Sequence, residues 1–182
     1  MLKWILAAVA AVIAIFAVVV ALQPSDFRIE RAATMKAPPA AAFAQVNDFN
    51  NWRAWSPWES VDPALKRVYE GPKAGAGASY AWVGNKDVGE GRMTITESRP
   101  GELVRIRLEF FAPMAAVNTA EFTFKPAAGG GNEGTAVTWT MTGRNNFLAR
   151  AICMFVDMDK MVGGMFEQGL SQMKAVVEKK AS

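Results

Sequence analysis

No histidine occurs anywhere in the 182 residues, so acid–base chemistry in this chain falls to carboxylates and phenols. Ser-His-Asp triads, Cys-His pairs, zinc sites of the usual histidine types and histidine general bases are all excluded. The remaining candidates are Asp159, Glu121, Tyr69 and Tyr80. Asp159 is the sharpest of them, because it falls between Phe155 and Val162 on an apolar helical stripe. A carboxylate there must be paired or near water, and burial would raise its pKa towards neutrality. Arg92, Arg105, Arg107 or an indole N–H are its expected partners. Two roles are open to it: a structural salt bridge at a cavity rim, or a contact to a ligand's polar group. No second carboxylate sits at a spacing that forces pairing with it. The single cysteine, Cys153, rules out an intrachain disulfide. None of the glycine runs ends in the Gly-Lys-Ser/Thr of a phosphate loop, and no metal or cofactor is expected.

The second chemical signal is binding. Trp52, Trp55 and Trp58 lie within seven residues. Indole is the largest apolar side chain and carries one donor, so such a cluster lines an interface or a cavity. A bare core would use Leu and Ile instead.

These residues need a scaffold, and alternation supplies one. Phe27, Ile29 and Arg31 alternate with Arg28, Glu30 and Ala32 in a first strand. Pro38-Pro39 suits a helix start, and Ala40–Asn47 follows as a short helix ahead of the tryptophans. Six further strands are predicted at Leu65–Glu70, Ala78–Val83, Gly91–Ser98, Leu103–Phe111, Val117–Lys125 and Thr135–Thr142. Turn chemistry separates them, including Gly84-Asn85, Arg99-Pro100-Gly101 and Gly129-Gly130-Gly131. Short, evenly spaced strands argue for antiparallel hairpins. Thr138, Thr140 and Thr142 are the expected solvated side of the last strand. One long helix, about Asn146 to Lys179, should lay Leu148, Ile152, Phe155, Val162, Phe166, Met173 and Val177 on the sheet. Met154, Met158, Met161 and Met165 form a second stripe.

The fold class is therefore α+β, a curved antiparallel sheet around a C-terminal helix. The expected ligand-binding set between them is Trp55, Trp58, Tyr80, Trp82, Ile106, Leu108, Phe122, Trp139, Phe155, Asp159 and Phe166. The competing expectation is an ordinary filled core.

Trp4 to Leu22 is nineteen residues with no charged or strongly polar side chain. As a helix it spans roughly 28 Å, close to the hydrocarbon thickness. Residues 1–23 are thus expected as a single-pass anchor, and 24–182 as one ligand-binding domain. A cleaved signal is the alternative, since Val19-Val20-Ala21 resembles a cleavage site, although the apolar run exceeds the usual 7–15 residues. Lys3 and the amino terminus favour export of the domain, whereas Arg28, Arg31 and Lys36 oppose it. The domain is expected on the extracytoplasmic side, because large domains translocate largely regardless of charge. With 20 Lys+Arg against 17 Asp+Glu, the chain is too balanced for a nucleic-acid binder.

An ordered set of motifs carries a resemblance. It comprises Phe27–Thr34, Ala37-Pro38-Pro39 with Phe43, Asn47-Asp48-Phe49, and Trp52 with Trp55-Ser56-Pro57-Trp58. Gly89-Glu90-Gly91-Arg92-Met93-Thr94-Ile95-Thr96, Asn118-Thr119-Ala120-Glu121-Phe122 and Asp157-Met158-Asp159-Lys160-Met161 complete it. Together they resemble the polyketide cyclase/dehydrase-like branch of the START/Bet v 1 (SRPBCC) superfamily, over Phe27 to Lys179. The resemblance implies a helix-grip fold over a hydrophobic cavity that takes a lipid, sterol or polyketide-like molecule. It also implies two alternatives: a cyclase or dehydratase working without histidine, or an interaction domain like the activators of the Hsp90 ATPase. No catalytic motif of the characterised cyclases matches residue by residue, and no protein partner is identifiable.

Overall fold

The computed structural model describes residues 1–127 and 134–181. The Gly129-Gly130-Gly131 turn lies outside the described residues. Helix α1, Leu2–Leu22, leads into strand β1, Asp26–Met35, and helix α2, Pro39–Asn47. A 3₁₀ turn, Phe49–Ala54, and a one-turn helix α3, Trp58–Val61, carry the tryptophans. Then come β2 Lys66–Glu70, β3 Ser79–Val83, β4 Glu90–Arg99, β5 Leu103–Ala112, β6 Ala116–Pro126 and β7 Thr135–Arg144. Helices α4, Phe147–Cys153, and α5, Met158–Ala181, close the chain.

All strand pairs are antiparallel, in the order β1-β7-β6-β5-β4-β3-β2. The first strand closes against the last, so α2 to α3 must cross from one edge of the sheet to the other. Register sets the inner face. Ile29 stands opposite Met141, Met141 opposite Ala120, and Ala120 opposite Ile106. Tyr80, Met93, Leu108, Asn118 and Gly143 follow one another across the next row. Directly paired residues share a face, so the Tyr80/Trp82 side and the Trp139 side are the same side. Helix α5 lies on this face with Phe166, Leu170, Met173 and Val177 buried. This is the helix-grip α+β fold.

Three expectations need correction. The C-terminal helix is two helices, because the chain leaves helical geometry between Met154 and Asp157. The Asp157 carboxylate accepts the Lys160 backbone N–H at 2.9 Å, acting as the cap that starts α5. Leu148, Ile152 and Phe155 consequently leave the sheet and are 57%, 40% and 78% exposed. The third correction is Thr140, which is buried rather than solvated and donates to Glu30 at 2.8 Å.

Helix α1 is long and apolar enough to cross a bilayer, by length and composition. At 21 residues it measures about 31 Å. All of its large side chains are exposed except Val20. Arg150 of α4 donates to the Ala21 and Gln23 carbonyls at 3.0 and 3.3 Å, so α4 is held against the end of α1.

Candidate functional site

The tryptophan segment earns its composition through its donors. Trp52 Nε1 donates to the Val46 carbonyl and Trp55 Nε1 to the Gln45 carbonyl, both at 3.1 Å. These carbonyls belong to the last turn of α2, where no helical N–H remains to satisfy them. A leucine would fill the space and leave both acceptors buried and unpaired. The indoles therefore seal a helix end while packing the core, a role that their type and spacing did not reveal.

Seven of the expected binding residues join that core. Trp55, Tyr80, Trp82, Ile106, Phe122, Trp139 and Phe166 belong to one buried cluster, with Trp58 and Leu108 packed against it. Trp139 is stacked on both faces, by Phe166 at 4.0 Å and 7° and by Phe122 at 4.7 Å and 30°. Trp55 and Trp58 meet its edge, each at 5.7 Å. Trp82 rests over Gly91, where any Cβ would collide with the indole ring. The seven pack against one another, and none of them lines the large cavity at the end of the sheet. They come together on one volume between the sheet and α5.

The open space lies elsewhere. A half-open cavity of about 930 Å³ sits at the end of the sheet where β1 and β6 begin and β7 ends. Phe27, Ile29, Phe110, Met141 and Val162 form its apolar wall, and α4 with the α4–α5 junction forms its outer side. The break at Asp157 creates it, since a continuous helix would have carried Ile152 and Phe155 down onto the strands. Gly143 helps as well, because a Cβ there would run into Asn118 and Phe27. Of the eleven expected residues, Phe155 and Asp159 alone line this cavity. Phe155 does so from the surface side, stacked on Phe16 of α1 at 6.3 Å. Ile29 and Met141 were legible as inward-facing positions; that they border open space depends on where α5 begins.

Asp159 pairs with none of its expected partners. Arg92 pairs with Glu70, Arg105 with Glu97 and Glu121, and Arg107 with Glu109. Arg105 and Arg107 alternate with buried Ile106 and so point to the outer face. The partner is Arg31, which shares the inner row with Trp139 and reaches α5 from the sheet edge. Arg31 donates to Asp159 Oδ2 at 2.8 Å and Oδ1 at 3.2 Å, and to Glu167 at 2.7 Å. Gly163 makes room, since a Cβ there would strike the guanidinium. Arg31's hydrogen bonds hold the Asp159 carboxyl below the usual carboxylate range. Asp159 is thus a lasting anion, half exposed at the cavity rim.

A second polar group lies on α3 and β2. Glu59 and Arg67 form a largely buried ion pair, with Tyr80 Oη 3.5 Å from Glu59 and the Tyr69 ring 5.2 Å from the Tyr80 ring. Burial first, then the Glu59 charge, pushes both phenols above the ordinary tyrosine pKa. Tyr80 thereby stays a neutral phenol that can donate a hydrogen bond but gives up its proton reluctantly. Among the described residues, no group of three or more metal-ligating side chains is assembled.

The profile of the family described as polyketide cyclase/dehydrase and lipid transport matches residues 26–178. The chain belongs to this family. Among curated proteins, none matches its sequence significantly. Solved structures share the fold at low identity. A protein of unknown function from Staphylococcus aureus, SA2116, aligns over 88% of this chain and 98% of its own. Its identity is 12% and the TM-score is 0.63. The Aha1 dimer from Colwellia psychrerythraea aligns over 84% of this chain and 96% of its own, with 14% identity and a TM-score of 0.57. The di-domain ARO/CYC StfQ of the steffimycin biosynthetic pathway aligns over 86% of this chain and 52% of its own, with 14% identity and a TM-score of 0.60.

Proposed function

We propose that this protein is tethered to a bilayer by α1 and holds an apolar small molecule, a lipid acyl chain or a ligand of similar character, in the end cavity. The observation that carries this reading is the position of the cavity. Its apolar wall opens beside Gln23 and Pro24, the residues on which the domain leaves α1. Its volume lies in the range of small-molecule sites, about 300–1,000 Å³. Membership of a family of cyclases and lipid-transport proteins supports an apolar ligand. Binding is favoured over turnover by the fate of the acid–base candidates. Tyr69, Tyr80 and Glu121 lie away from the cavity wall, and Asp159 is kept ionised by Arg31. A proton donor or acceptor works best with a pKa near the operating pH, whereas Asp159 is shifted down and both tyrosines are shifted up, away from it.

The test uses the full chain in vesicles containing a phospholipid with a diazirine on its acyl chain. After irradiation, mass spectrometry of the peptides should find adducts at Ile29 and Met141, which are 4% and 8% exposed and face the cavity. Met141→Trp should abolish the Ile29 adduct and leave labelling of α1 intact. Adducts confined to α1 in the unsubstituted protein would defeat the reading.

A further inference from the structure

The exposed apolar side chains of the domain are unusually dense at one place. Phe147, Leu148, Ile152, Phe155 and Val156 are 48%, 57%, 40%, 78% and 38% exposed, all within ten residues of α4 and the α4–α5 junction. Water contact on this scale is costly, since each such side chain gains when withdrawn from water, and contiguous patches of this kind mark an interaction surface. We propose that α4 and the α4–α5 junction form a second membrane-contacting element, seated in the headgroup–acyl boundary beside α1. This rests on the reading of α1 as a membrane tether.

Three observations select a bilayer as the occupant. Phe155 stacks on Phe16, and Phe16 lies six residues before the end of α1 at Leu22. At about 1.5 Å per residue that is about 9 Å along the helix. With Leu22 at the hydrocarbon boundary, the Phe155 ring lies at the depth of interfacial helices, about 5–10 Å below the headgroups. Arg150 fixes this arrangement through the Ala21 and Gln23 carbonyls. Among the described residues no acidic side chain pairs with Arg150, and its contacts at the end of α1 put its charge at headgroup level, as for a snorkelling arginine. Finally, Ile152, Phe155 and Val156 also line the cavity. Seating them in lipid turns the cavity mouth towards the acyl chains rather than towards water.

Cys153 is the only cysteine, so a Cys153→Ser background accepts one new label at a time. The full chain would carry a bimane fluorophore at Val12→Cys, Phe155→Cys or Lys73→Cys, in phosphatidylcholine/phosphatidylglycerol vesicles. Lys73 follows β2 and lies at the opposite end of the sheet. Quenching by a lipid bearing a nitroxide near the headgroup is compared with quenching by aqueous iodide. Phe155→Cys should be quenched several-fold more by the lipid nitroxide than by iodide, as Val12→Cys is, and Lys73→Cys should show the reverse. If Phe155→Cys behaves like Lys73→Cys while Val12→Cys stays in lipid, insertion is refuted and the tether stands. If Val12→Cys is itself open to iodide, the tether fails and the insertion with it. Ile152→Cys repeats the measurement should the Phe155 variant not fold.

Discussion

Phe166→Ala separates a filled core from a binding cavity most directly. The Phe166 ring is 2% exposed, lies parallel to Trp139 at 4.0 Å and meets the edge of Trp58 at 6.3 Å. Loss of its burial costs about 3 kcal/mol, and loss of ring pairing beyond area adds about 1 kcal/mol. The total of about 4 kcal/mol falls within the range of about 3–5 kcal/mol for Phe→Ala in cores. For a domain of this size, each kcal/mol lowers Tm by about 2–4 °C, so the expected shift is about 8–16 °C. Thermal unfolding of the full chain in nanodiscs, followed by tryptophan fluorescence, reads it directly. At temperatures where the variant remains folded, acyl photolabelling of Ile29 should be unchanged. A Tm shift below about 2 °C, or lost labelling at unchanged Tm, would mean that ligand rather than side chains fills the space beneath α5, and would refute the argument.

The other predictions concern ionisation. Asp159→Asn should lower Tm at neutral pH and leave Ile29 labelling intact, because Asp159 ties α5 to β1 through Arg31. Its carboxyl is held below the usual range in the folded state. The pairing therefore stabilises fully above that range, and its contribution is lost as pH falls through the lowered value. The Tm gap between the parent and Asp159→Asn should accordingly close in acid; a gap unchanged throughout acid titration would contradict the pairing. The chain has two tyrosines, Tyr69 and Tyr80, both with raised pKa values. Absorbance at 295 nm should show little tyrosinate at the ordinary tyrosine pKa while the circular dichroism remains native. This burial of neutral phenols stabilises below that range and fades as pH rises beyond it. Half-ionisation at the ordinary value in native protein would show that the Tyr80 environment is wrongly described.

What the sequence determined by itself was everything governed by local period. Two-residue alternation placed seven strands within a few residues of their observed bounds, because a strand's faces follow from backbone geometry alone. Nineteen uninterrupted apolar residues likewise marked α1. The inward faces of Tyr80, Ile106, Phe122 and Trp139 were legible for the same reason. What only the tertiary structure decided was where those faces meet side chains and where they meet space. Aromatic composition cannot distinguish a ring that lines a cavity from a ring that fills one, since both need the same apolar surface. Trp139 became core because Phe166 and Phe122 arrive on both its faces. The helix break was written locally, in the Asp157 cap, but helical periodicity on either side masked it. Its consequence was not local: moving Phe155 off the sheet opened a cavity between strand ends that are more than a hundred residues apart in sequence. Arg31 found Asp159 in the same manner, across 128 residues, because the closure of β1 on β7 brings the first strand beneath the last helix.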